Sequence, residues 1–115
     1  MKIKRKSDFK PPTVNDDKMR GVRFYPLITV QDGAPNFAMR VFEVEPHGYS
    51  PKHTHRWEHE IYILSGSGHV LTADGRLPVS KDCALLVEPD ELHQIQAGKE
   101  GIMFLCVVPH EGQPA

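Results

Sequence analysis

The sequence predicts an all-β domain, a small sandwich or barrel, and three observations carry that prediction. Runs of β-branched and aromatic residues are short, Gly, Pro and Asp punctuate them closely, and no helical stripe of useful length is present. The expected strands, in order, cover residues 22–30, 37–45, 58–64, 69–73, 83–87, 93–96 and 102–107. Turn signals separate most of them: Asp32-Gly33, Pro46-His47-Gly48, Ser65-Gly66-Ser67-Gly68, Asp74-Gly75, Glu88-Pro89-Asp90 and Gly98. Residues 1–20, with Pro11-Pro12 and a polar stretch, read as an N-terminal arm. Residues 21–109 then form the barrel and 110–115 a frayed tail, in one domain overall. An exposed N-terminal strand offers unpaired backbone groups to another copy, so a homodimer, with the arm available for exchange, is expected.

At 115 residues the chain is large enough for one hydrophobic core but not two. Its 14 basic and 15 acidic side chains nearly cancel, and only the short Lys2, Lys4, Arg5, Lys6 cluster departs from an even spread. That balance argues against a nucleic-acid grip or a membrane-surface patch. With no apolar run of membrane-spanning length and no apolar leader, a cytoplasmic location is expected. Cys83 and Cys106 lack Cys-x-x-Cys spacing and read as buried free thiols.

Chemistry is concentrated in two segments, His53-Thr54-His55-Arg56-Trp57-Glu58-His59 and Glu88-Pro89-Asp90-Glu91-Leu92-His93. Strand side chains alternate between faces, so His59 sorts with Ile61 and Ile63 as interior, against Glu58, Glu60, Tyr62 and Leu64. The same test puts His93 with Ile95 inside and Gln94 with Gln96 outside, while His53 and His55 share a face of an extended segment. Burying several unpaired imidazoles is costly, whereas one divalent ion at their focus satisfies all of them. His53, His55, His59 and His93 are therefore the expected metal ligands. Arg40 is read either as an anion- or peroxide-orienting pocket group or as a surface ion pair. Trp57 is a lid or loop packing, and Phe104 with Cys106 shares one strand face, lining a cavity or filling the core. His47, His69 and His110 show no such convergence.

These segments resemble the cupin superfamily, small jelly-roll-like β-barrels whose first motif runs Gly, five residues, His-x-His, three or four residues, Glu, six residues, Gly. Here His53 and His55 match, Gly66 closes the motif, and His59 stands where the family's glutamate would be. Glu60 is its neighbour on the outward face, and His47 takes the first glycine position with Gly48 one step along. The second motif, Gly, five residues, Pro-x-Gly-x-x-His, three residues, Asn, maps onto Asp82, Glu88, Asp90, His93 and Ala97, its proline displaced to Pro89. Together with residues 34–40 and Phe104-Leu105-Cys106, the chain looks like the small single-domain four-histidine cupins that bind manganese.

The resemblance implies dioxygenase-like or oxidative-cleavage chemistry on a small organic substrate, with O2 or peroxide as partner. Four neutral imidazoles leave a divalent ion its full charge and, at six coordination, two open positions. Manganese is the expected metal and iron the next, with nickel, copper and zinc as alternatives. The rival readings are a redox-neutral isomerase or lyase in which the ion polarises a carbonyl, and a small-ligand binding module without catalysis.

Overall fold

The computed structural model describes residues 1–113 and consists of antiparallel strands throughout. They are β1 (Arg20–Ile28), β2 (Phe37–Tyr49), β3 (His59–Thr72), β4 (Gly75–Ser80), β5 (Ala84–Val87) and β6 (Gln94–Pro109). Short 3-10 turns at Lys6–Asp8, Val30–Asp32 and His110–Gly112 are the helical content among the described residues. No helix among them is long and apolar enough to cross a membrane. The strands pair in the order β1-β2-β6-β3-β4, while β5 pairs the first part of β3, His59 to Tyr62, and β4 its second part, Ser67 to Thr72. β3 and β6 are thus long, bent strands that pair along both halves, the arrangement of a jelly-roll-like barrel.

Three of the expected turns prove to be bends inside continuous strands. Pairing shifts register between Val44 and Tyr49 of β2 and around Ser65 and Gly66 of β3, and β6 runs unbroken through Gly98. A bulge bends a strand without ending it, and glycine supplies the backbone freedom and close approach a bulge needs. Gly66 has φ 80°, and a Cβ there would lie 2.1 Å from the Gly101 carbonyl oxygen. β4 was absent from the expected set because Pro78 speaks against a strand, and it is tolerated here at the end of the strand order. β1 stops at Ile28 rather than Val30 because Thr29 caps the next turn: its side chain accepts from Gln31 N and its own N–H donates to Asp32.

The core follows from period-two alternation. Ile61 and Ile63 are buried beside His59, while Tyr62 on the other face is 41% exposed. Val70, Ile95, Ile102 and Phe104 complete the same interior cluster. Gln94 is a correction to that reading: it is buried, and its side chain donates to the Ser50 carbonyl at 3.0 Å. The arm lies along its own barrel, bridging Val14 to Val22 and pairing Lys4 with Asp32 at 2.8 Å and Lys6 with Glu43 at 2.9 Å. At the other end, residues 110–113 are a packed turn rather than a frayed one, with Gln113 buried; Pro114 and Ala115 lie outside the described residues.

Candidate metal centre

The two histidine segments meet because their backbones pair. His53 and His93 form an isolated antiparallel bridge, each N–H donating to the other's carbonyl at 3.2 and 3.1 Å. Asp90 N–H donates to the His55 carbonyl at 2.7 Å, which ties the second loop onto the first. His59 opens β3 opposite Val87, and His93 immediately precedes β6. The ligand nitrogens of His53, His55 and His93 lie within 4.8 Å of one another. His59 borders that trio, its ring 4.4 Å from His55 and 5.4 Å from His93, with Nε2 only 2.6 Å from His55 Nε2. Glu60, the neighbouring carboxylate, is exposed.

Three of the four rings have a partner on the second nitrogen. Nδ1–H of His55 donates to the Trp57 carbonyl at 2.7 Å and Nδ1–H of His93 to the Glu91 carbonyl at 2.8 Å, so both rings keep their lone pair on Nε2. His59 Nδ1 faces Cys106 Sγ at 2.7 Å. A thiol both donates and accepts, so His59 is satisfied in either tautomer: as an Nε2–H donor to His55, or with its Nε2 lone pair free. In the second state the Nε2 lone pairs of His55 and His59 face each other, and a cation resolves their repulsion. Two imidazoles on one ion at bonds of about 2.0–2.1 Å and a right angle place their nitrogens about 2.9 Å apart. The His55–His59 pair therefore reaches the spacing of two ligands on a divalent transition ion with a displacement of only a few tenths of an ångström.

Burial favours the neutral, ligating form of His53, His59 and His93. Burial, then Arg40 and the neighbouring imidazoles, lowers the pKa of His59 to about 3. Burial first, then His93, His55 and Arg40, lowers His53 to about 4, although water at the open mouth, where His53 is exposed, moderates that shift. His93 is also lowered by burial, against the opposing effect of the hydrogen bond it donates to the Glu91 carbonyl. Burial pushes the Cys106 thiol up, against Arg40.

Above the histidines opens a cavity of about 390 Å³. All four pocket candidates read from the sequence, Arg40, Trp57, Phe104 and Cys106, line it. Arg40 is not a surface ion pair: it is 6% exposed, faces Cys106 across the β2–β6 pair, and donates to Sγ at 3.2 Å. Trp57 stacks on His55 at 4.7 Å with an interplanar angle of 4° and packs against Gly112, where a Cβ would meet its ring at 2.5 Å. Phe24 and Phe42 were missed. They stand in register with Phe104, and the three rings follow one another, Phe24 tilted against Phe42 at 4.9 Å and Phe42 stacked on Phe104 at 5.1 Å. The available signal was their shared alternation phase with Val22 and Arg40, but cross-strand register is not written in either strand alone. Of the remaining histidines, His110 Nε2 donates to the Ala34 carbonyl at 2.6 Å, His69 lies near Arg76, and His47 is exposed.

Among the described residues three non-glycine residues have positive φ, namely His47 (62°), Asp82 (72°) and Asp90 (66°). They are three of the four positions at which the two sequence motifs call for glycine, the fourth being Gly66, so the backbone keeps the motif conformation where the residue type has changed. A family model described as Cupin domain matches residues 40–108. The crystal structure of the polyketide cyclase RemF from Streptomyces resistomycificus is similar with a TM-score of 0.87 and 34% identity, over 96% of this chain and 80% of that one. A 1-methylthio-D-xylulose 5-phosphate methylsulfurylase from Rhodospirillum rubrum is 32% identical over 74 residues, which is 64% of this chain and 47% of that protein, so the chain spans about half the length of that curated relative. A predicted oxalate decarboxylase from Thermotoga maritima, at 23% identity and a TM-score of 0.81, shares the fold, covering 94% of this chain and 98% of that one.

Proposed function

This chain belongs to the cupin family, and from that premise we propose that it is a metal-dependent enzyme acting on a conjugated carbonyl compound by redox-neutral ring closure or a related condensation. His53, His55, His59 and His93 would hold the ion through Nε2. When bound, a divalent ion there supplies Lewis acidity toward a carbonyl oxygen. The observation that carries the reading is the pairing of this donor set with a cavity walled by Phe24, Phe42, Phe104 and Trp57 and lined by no carboxylate. Those walls exclude water and hold a flexible, unsaturated chain folded on itself, so that its reacting carbons meet. Cys106 holds His59 in place from behind, and Arg40 offers a positive charge to a substrate oxygen. The similarity to the polyketide cyclase, over 96% of this chain, supports the same reaction class.

A second reading, oxidation of a small organic molecule by O2 or peroxide at manganese or iron, draws on the four uncharged ligands, which favour a stable divalent ion. Exchange of the metal separates the two. Zinc has no redox chemistry, so a zinc-loaded protein that cyclises a polycarbonyl substrate anaerobically supports the Lewis-acid reading. Turnover confined to the manganese or iron forms and dependent on O2 or peroxide would move the assignment to the oxidoreductase. Binding of aromatic carbonyl compounds without turnover in any metal form would leave a binding module. The homodimer expected from the sequence remains part of the proposal and is read directly by sedimentation.

A further inference from the structure

Arg40 is a buried cation without a counter-ion among the described residues. Its Nη1 donates to the Gly112 carbonyl at 3.2 Å and to Gln113 Oε1 at 3.1 Å, its Nη2 donates to Cys106 Sγ at 3.2 Å, and its Nε is buried with no hydrogen-bond partner. The guanidinium carbon lies over the Phe42 ring at 5.2 Å and the Phe24 ring at 5.7 Å. A carbonyl, an amide, a thiol and two ring faces orient the group, but none carries a full negative charge. The ion pairs among the described residues join other partners: Lys4 with Asp32, Lys6 with Glu43 and Arg56 with Glu111. Guanidinium does not lose its proton in a protein, so the burial of this charge is costly until an anion arrives.

The surroundings of that charge specify the rest of the ligand. Arg40 lines the same 390 Å³ cavity as the Phe24, Phe42 and Phe104 stack, a volume within the usual range for small-molecule sites. We infer that the cavity takes a flat, conjugated molecule bearing one anionic oxygen group, a phenolate, enolate or aryl carboxylate, whose charge sits against Arg40 while its ring system lies along the phenylalanine stack. The inference deepens the proposed function by naming the charge of the substrate, and rests on it only in taking this cavity as the substrate site. An enolate is also the form in which a polycarbonyl chain attacks its own carbonyl group, so a cation at this point favours the reactive form of the substrate class.

The experiment is calorimetric titration of the full chain, metal-free and zinc-loaded, with three isosteric probes: 2-naphthoate, 2-naphthamide and 2-naphthylmethylammonium. Quenching of Trp57, the single tryptophan of the chain, places the probe in the cavity it lines. In metal-free wild-type protein naphthoate is expected to bind about tenfold or more tightly than naphthamide, the size of a charge-assisted hydrogen bond, with the ammonium weakest. Arg40→Gln removes the preference and Arg40→Lys retains part of it. Should Arg40→Gln fail to fold, the wild-type comparison and Arg40→Lys decide. Equal affinity for naphthoate and naphthamide in the metal-free wild type, or no binding of either, overturns the inference. Using the metal-free form keeps this result separate from the metal reading, because anion preference without metal uptake would sink only the latter, and metal uptake without anion preference only the former.

Discussion

An imidazole at position 59, in place of a carboxylate, would leave a divalent ion held by the proposed four histidines with its whole charge, and the His59 ring is tied to Cys106 rather than to solvent. Substituting alanine at His53, His55, His59 or His93 is expected to weaken metal binding by about tenfold or more, while Glu60→Ala, on the exposed face, leaves it unchanged; competition with a chelating dye reads both. Cys106→Ala is expected to cost up to about tenfold in the same assay, because His59 Nδ1 loses the partner that orients it. The histidines also set a pH signature in the metal-free chain. In the unfolded chain they titrate near 6.5, but in the fold His53 is held to about 4 and His59 to about 3. Between pH 6.5 and those values the unfolded chain binds more protons than the folded one, so stability is flat above about pH 6.5 and falls as pH drops below it. Urea midpoints measured from pH 8 to pH 4 check the direction; a midpoint that rises on acidification would contradict it. The clustering of the histidines was legible in the sequence because four of them fall in two short segments that admit a face test. Their chemistry beyond the metal was less so, since Phe24 and Phe42 acquire meaning only when paired across strands with Phe104.

Among the elements, β3 and β6 decide the architecture, and the sequence conceals their length. Ser65-Gly66-Ser67-Gly68 and Gly98 carry the composition of turns but sit in bulged, unbroken strands, because glycine serves a bend with close backbone approach as well as it serves a reversal. Distinguishing the two needs the register of the neighbouring strand, which is a long-range property. The positive-φ residues are the element-scale counterpart. His47 is exposed, holds φ 62°, and interrupts β2 at its register shift, where an L-residue with a large side chain is strained. His47→Gly is therefore expected to raise stability by up to about 1 kcal/mol and the melting temperature by a few degrees. A calorimetric melt with unchanged or lowered temperature would mean that the strain is already relieved locally.

For the molecule as a whole, the barrel brings residues 53, 55, 59 and 93 together in the lining of one cavity, and on the proposed reading metal binding would be linked to folding through it. A ligand that binds only the native state stabilises it by about 2.7 kcal/mol at a hundred times its Kd, so saturating zinc or manganese is expected to raise the melting temperature by several degrees. His93→Ala removes that rise, since it deletes a member of the trio whose donors lie within 4.8 Å. All-β class, one core and inward histidines were legible because each follows from local alternation; the paths of the arm and of residues 110–113 were not, because they depend on contacts with distant strands such as Lys6 with Glu43 and Arg40 with Gln113. The central claim is that one ion is held by imidazoles from both loops, and X-ray absorption at the metal edge of the loaded protein tests it most directly. The account predicts one ion per chain with about four imidazole nitrogens at roughly 2.0–2.2 Å, recognisable by scattering from the outer ring atoms. A shell of carboxylate oxygens, or one with two or fewer imidazoles, would contradict it.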